Sequence, residues 1–253
     1  LPVEVFSLEM SAEQIGMRII SQQTGIPSNR IRSGELTDDE LRAVGDKTRE
    51  ISHLPLTIDD RGGISIAQLA ARARRAKRKR KTALIVIDYL QLMTGTGKRD
   101  NNRVQDVTAI TNGLKALAKE LDLPIVALIQ LNRAVENRDE KRPQLADLRE
   151  SGLIEQDADV VMFIYREEAY VENEKPSLID AKAYSDWEAK LKACAGKAEI
   201  IIRKHRHGEQ GIIQVQFEGK LTQFSNLAQP YQEERIKAQP APIGATYSAA
   251  KGY

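Results

Sequence analysis

The chain has 253 residues and a mass of 28.3 kDa, enough for one large α/β domain or two small ones. Apolar residues make up 41% and charged residues 29%, which excludes collagen-like, disordered and disulfide-scaffold classes, and the one cysteine, Cys194, suits a reducing compartment. Lys and Arg number 38 against 36 Asp and Glu, but eight of the cations lie between Arg72 and Lys81; without them 30 cations face 36 anions, so nucleic-acid binding must be argued from sites rather than net charge. No apolar run approaches the roughly 18 residues of a membrane span. LPVEVFSLEM has no basic region leading into a long apolar stretch, so neither a signal peptide nor a membrane partner is expected and the location is read as cytoplasmic. The chain also begins without a Met, as if in the middle of something.

In chain order, strands alternate with helices. PVEVF (2–6) is a short apolar run, and Ser11 opens a helix with Ile15, Ile19 and Ile20 on one face, ending at Gly25. A second helix spans about 37–52, with Leu41, Val44, Thr48 and Ile51 at 3–4 spacing. PLTID (55–59) is a strand candidate, and a helix follows over 65–80. TALIVID (82–88), PIVALIQL (124–131) and DVVMFIY (159–165) read as strands buried on both faces. Between the first two lies a helix over 103–121, with Val104, Val107, Ile110, Leu114, Leu117 and Leu121 in phase. AEIIIRK (198–204), GIIQVQF (211–217) and KLTQF (220–224) are closing strands joined by Gly-containing turns. From Ala228 the periodicity gives way to Pro and small polar residues, the pattern of a mobile tail. The alternation argues a mainly parallel twisted sheet with helices on both faces.

Three polar residues end three of the apolar strands. Asp88 closes LIVID, where open α/β sheets bind ligands and a carboxylate commonly holds the Mg²⁺ of a nucleotide. The competing role is a loop cap. Glu9 ends FSLE and suits a base that deprotonates an attacking water, or else an acid at the N-terminus of the next helix. Gln130, with Arg133 just after it, suits a sensor of a terminal phosphate, or a loop amide bonded to backbone. Together the three read as one ligand-binding edge. LRESGLIEQDAD (148–159) is a polar loop in which Arg149, Glu150, Ser151 and Gly152 are able to present cations and amides to phosphates. In RKHRHG (203–208), Lys204 and Arg206 share a strand face, which suits an arginine finger; edge protection is the competing role. His205 and His207 lack a third metal ligand nearby. The run RARRAKRKRK (72–81) spreads its cations nearly all round a helix end, as a solvated, dipole-favoured terminus does; a weak electrostatic contribution to DNA or partner binding is the competing role.

With FSLEMSAEQIGMRI, LIVIDYLQLM, the 103–136 and 141–166 segments and IIRKHRHGEQG in order, residues 3–227 resemble the C-terminal motor domain of replicative DnaB-type DNA helicases. The resemblance implies a RecA-like P-loop NTPase fold over 1–227, and the flexible tail read from composition, 228–253, lies beyond it. It implies homo-hexameric rings around single-stranded DNA, ATP and Mg²⁺ between subunits, 5′-to-3′ translocation and unwinding at the replication fork. Primase and a helicase loader are the implied partners. On this chain, Glu9 is then the catalytic base, Asp88 the Mg²⁺ ligand and Gln130 the phosphate sensor. Arg149, Glu150 and Gly152, with Arg133, grip the DNA backbone. Lys204 and Arg206 are offered in trans to the neighbour's ATP.

The departures are specific. The family's phosphate loop, GxxxxGK(S/T), is absent; the GTGK within MTGTGKRD (93–100) has the wrong spacing and no framing strand, and reads as a mobile loop. The chain is therefore expected to start after that loop, and by itself to fold poorly and not to hydrolyse ATP. The family's N-terminal domain is absent too. Segment 168–196 is longer than the family pattern, with AYSDWEAKLKACAG expected to form a short surface helix carrying Trp187. His205 and His207 replace the usual Gln and Asn. The alternatives are a RecA-type recombination or repair ATPase, and a non-catalytic fragment.

Overall fold

The computed structural model describes residues 1–94, 103–177 and 179–227. The GTGK of 93–100 and the tail from 228 lie outside the described residues.

Four strands form a parallel sheet: β1 (Val3–Ser7), β2 (Leu56–Asp59), β3 (Leu84–Asp88) and β4 (Ile125–Ala127), in the order β2-β1-β3-β4. Parallel neighbours need a crossover, and helices supply it. Between β1 and β2 run α1 (Ala12–Thr24), α2 (Ser28–Ser33) and α3 (Asp38–Ser52); α4 (Ile66–Arg80) and α5 (Arg103–Leu121) make the next two crossovers. Helices α1, α3 and α4 each start with a reciprocal capping box, Ser11 with Gln14, Thr37 with Glu40 and Ser65 with Gln68. Gly25 ends α1 in the left-handed region at φ 72°, where a side chain would be strained. Helix α2, one turn and a half after Pro27, is too short to show a periodicity in the sequence.

Of the expected faces, that of α5 lines the core, whereas the stripe of α3 is not buried, Leu41 being 60% exposed. Phe6, Ile85 and Ile87 of the sheet pack with Leu69 and Ala73 of α4 and with Val107, Ile110, Leu114 and Leu117 of α5. Gly113 lets α5 close on α4, because a Cβ there would stand 2.5 Å from a side-chain carbon of Ile66.

The second half is an antiparallel sheet of β5 (Val160–Tyr165), β6 (Lys197–His205), β7 (Gly211–Glu218) and β8 (Gln223–Asn226), in chain order. With it go α6 (Gly152–Asp157), α7 (Glu167–Asn173) and α8 (Ala181–Cys194). Helix α8 carries Trp187 as expected, and the indole N–H donates to the Val171 carbonyl at 2.7 Å, docking α8 on α7.

Four expectations are corrected. Strand 124–131 is neither long nor fully buried: β4 has three residues, pairs among the described residues only with β3, and leaves Val126 41% exposed. DVVMFIY is not a doubly buried parallel strand. It is antiparallel to β6, with Val161, Phe163 and Tyr165 buried and Val160, Met162 and Ile164 outward. An all-apolar run hides this alternation, because nothing in it marks the outer face. LRESGLIEQDAD is helical rather than a loop: a 3-10 helix over Leu145–Ser151 leads into α6. Strand 220–224 starts later, because residues 219–222 form the turn, with Thr222 at φ 53°.

Candidate functional site at the sheet edge

Register brings the three polar strand ends to one edge. Ser7 stands opposite Asp88, and Ile87 opposite Ala127. Leu8 N–H donates to the Asp88 carbonyl at 2.6 Å, and Leu90 N–H to that of Leu128 at 3.0 Å. Glu9 and Gln130 therefore leave the sheet on the side of Asp88, at the carboxyl ends of parallel strands. The Ser7 hydroxyl, fully buried, donates to the Met10 carbonyl at 2.7 Å and accepts from its N–H, folding a turn that leaves Glu9 exposed. The first turn of α1 does not need Glu9. Its N-terminal donors go to Ser11 and to Asp60, whose carboxylate accepts from Ala12 N–H at 2.9 Å. Neither Glu9 nor Asp88 has an ion pair among the described residues, so both carboxylates are available to a ligand. Asp88 fits a Mg²⁺ ion as a hard oxygen ligand, since that ion takes one or two carboxylates and keeps the rest of its shell for phosphate and water.

Gln91 also reaches this edge, which strand patterning does not foresee. Its side-chain amide donates to the Gln130 carbonyl at 2.9 Å and accepts from Gln130 N–H at 3.3 Å. The turn after Asp88 is thereby tied to the backbone of the expected sensor. Beyond Gln130, the Asn132 side chain caps a 3-10 turn over Arg133–Asn137, in which Arg133 is exposed. Arg138 grips Asp147 with two bonds of 3.0 Å, and Asp147 also accepts from Gln144 N–H. This fixes the approach to the 3-10 helix that holds Arg149 and Glu150, while Gly152 opens α6; the side chains of 149–153 lie outside the described residues.

Lys204 and Arg206 do not share a strand face. Lys204 is in β6, and Arg206 stands in the turn just after it. Both nevertheless reach the C-terminal end of α6. The Lys204 ammonium donates to the carbonyls of Glu155 and Gln156, as cations do at a helix C-terminus. Arg206 N–H donates to the Asp159 carbonyl at 2.8 Å, and its guanidinium to the Asp159 carboxylate at 2.9 Å. Asp159 also pairs with Lys115 of α5. Its carboxyl is held below the usual range, first by the Lys115 hydrogen bond and then by the charges of Lys115, Arg206 and His207. Among the described residues no group of His, Cys, Asp and Glu is gathered to hold a metal by itself.

The basic run is in part structural. Arg72 pairs with Asp59, Arg74 meets Glu120 with two bonds of 2.7 Å, and Arg80 meets Glu4 at 2.6 Å. Glu4 is a buried carboxylate inside what reads as an apolar strand.

The family model described as DnaB-like helicase C terminal domain matches residues 1–226. Replicative DNA helicase DnaB of Rickettsia bellii is 45% identical over 232 residues, covering 90% of this chain and 46% of that protein. The protein of the same name from Geobacillus stearothermophilus is 39% identical over 235 residues, covering 92% and 48%. The chain thus spans about half the length of these curated relatives. Among solved structures, one described as an ATPase domain superposes with a TM-score of 0.76 at 33% identity, over 89% of this chain and 74% of that one. A DnaB-like replicative helicase, described together with its interactions with primase, gives 0.76 and 33% over 89% and 50%. No described helix is long and apolar enough to cross a membrane.

Proposed function

We propose, from the premise that this chain belongs to the family of DnaB-like helicase C-terminal domains with their RecA-like fold, that it is the ATP-driven motor part of a replicative DNA helicase. The observation that carries this reading is the convergence of Glu9, Asp88 and Gln130 on one sheet edge, with Glu9 and Asp88 outside any ion pair among the described residues.

In that reading Glu9 orients and deprotonates the attacking water, and Asp88 would hold Mg²⁺. The bound ion would offset phosphate charge and polarise the terminal phosphate. Gln130 reports the terminal phosphate to the segment that runs through Arg133 to Arg149, Glu150 and Gly152. That segment grips the backbone of single-stranded DNA. Lys204 and Arg206 act on the ATP of a neighbouring subunit in a hexameric ring that moves 5′ to 3′. Primase and a loader are the proposed partners of the complete protein.

One part of an ATP site does not fit. The β- and γ-phosphates need a backbone N–H nest and a Lys, and no GxxxxGK(S/T) occurs in these 253 residues. Turnover is therefore assigned to a complete protein that contains such a loop, and residues 1–253 by themselves are proposed to be inactive. In the complete protein, Glu9→Gln should abolish ATP hydrolysis while nucleotide binding survives, because only the base is lost. Near-normal turnover by that variant would remove Glu9 from the mechanism.

A further inference from the structure

Asp159 has no part in the scheme above, yet it is the residue that Arg206 touches most. It accepts from the Arg206 backbone N–H at 2.8 Å and from the guanidinium at 2.9 Å. Among the described residues the guanidinium makes one other bond, a long one of 3.5 Å to the Gln156 carbonyl. An arginine has five N–H donors, so most of them have no acceptor among the described residues, on a side chain that is 46% exposed. Backbone and side chain are held together, which fixes where the fork points.

A carboxylate that holds an arginine this closely would ordinarily also neutralise it. Here it does not, because Lys115 takes the other carboxylate oxygen. Two cations and one anion leave the cluster with a net positive charge. Lys115 belongs to α5, the helix that follows the Asp88 strand, and Arg206 to the turn after β6. The cluster therefore ties the turn that carries Arg206 to α5, and so to the core of its own subunit.

We propose that Asp159 is a positioning residue for Arg206, aiming the guanidinium at an anionic phosphate across the subunit boundary, while Lys115 keeps the pair from being electrically silent. This rests on the reading that Arg206 acts in trans. In this scheme Asp159 acts only through Arg206.

The test uses the complete protein with ATP and single-stranded DNA. Asp159→Asn should lower kcat by about 10- to 100-fold, the cost of a misaimed group, with KM for ATP within about twofold, because the residues of its own ATP edge are untouched. Asp159→Glu, which keeps the charge, should recover part of the loss. Asp159→Asn subunits mixed with Glu9→Gln subunits should regain ATPase, as Arg206→Ala subunits should in the same mixture, because each defect then lies on opposite sides of an interface. A merely structural defect would not be repaired by a partner. Lys115→Met is the second variant, for the case in which Asp159→Asn does not assemble. It should also lower kcat, with KM kept and the mixture restoring it. Restoration with Arg206→Ala but not with Asp159→Asn, or with Lys115→Met if that is the variant that assembles, overturns the role of Asp159 and leaves the trans reading standing. No restoration with Arg206→Ala overturns both. Unchanged kcat in the assembled variant overturns the proposal directly.

Discussion

Glu9, Asp88 and Gln130 are legible because each follows an apolar strand, and strand ends in a parallel sheet share one edge. Gln91 and Asp159 are not legible, because their partners lie 39 and 47 residues away and no local spacing announces them. Gln91 is testable by itself. Gln91→Ala removes both bonds to the Gln130 backbone, a loss of about 1 kcal/mol per bond at a partly exposed position. The larger effect is expected on coupling, since the Gln130 amide is then no longer held against the turn after Asp88. In the complete protein, ATPase stimulation by single-stranded DNA should fall about 10-fold, while ATP binding holds. Stimulation equal to that of the unsubstituted protein would make Gln91 a packing residue only.

At the scale of elements, α1, α3 and α4 are readable from their boundaries, since Ser11, Thr37 and Ser65 each cap and each find an acceptor three residues on, whereas α2 and α6 are not. The charged clamps between elements are not legible either. Arg142 holds Glu199 of β6 with bonds of 2.8 and 2.9 Å and lies over the ring of Tyr165 in β5, 5.1 Å from its centre. Burial pushes the Tyr165 hydroxyl up to about 12, so it stays protonated. The Arg142 hydrogen bond holds the Glu199 carboxyl below its ordinary 4.5. A lowered carboxyl contributes stability that is complete above the ordinary value and is lost as pH falls through the folded one. Unsubstituted protein should therefore exceed Glu199→Gln in thermal stability by about 1 kcal/mol at pH 6–7, discounted for the partial exposure of Arg142. The gap should close as pH drops below about 4.5. Melting curves of the complete protein at pH 7, 5, 4 and 3.5 measure it, and a gap constant across the series would remove the clamp from the acid response.

For the whole molecule, the apolar runs that end the first sheet and begin the second read, by pattern, as buried on both faces. They are instead edges: β4 closes the parallel sheet, β5 opens the antiparallel one, and no pairing joins them among the described residues. Ile129, just past β4, packs against the cores of both halves. Val126, Leu128, Met162 and Ile164 are all more than 40% exposed. Unpaired edges with apolar side chains are unstable against association. The expectation of burial and the observed exposure are reconciled if a further strand covers these edges in the complete protein, and a phosphate loop is a strand–loop–helix unit. Residues 1–253 alone should then bind a hydrophobic dye strongly and self-associate at micromolar concentration. The amides of Ile125–Ala127 should exchange with solvent at least about 10-fold faster there than in a longer protein that includes a GxxxxGK(S/T) segment, because a paired edge must open before it exchanges. Equal exchange rates in the two proteins would mean that β4 is a true edge, with nothing added to it, and that exposed Val126, and Leu128 just past the strand, are covered by other means or not at all.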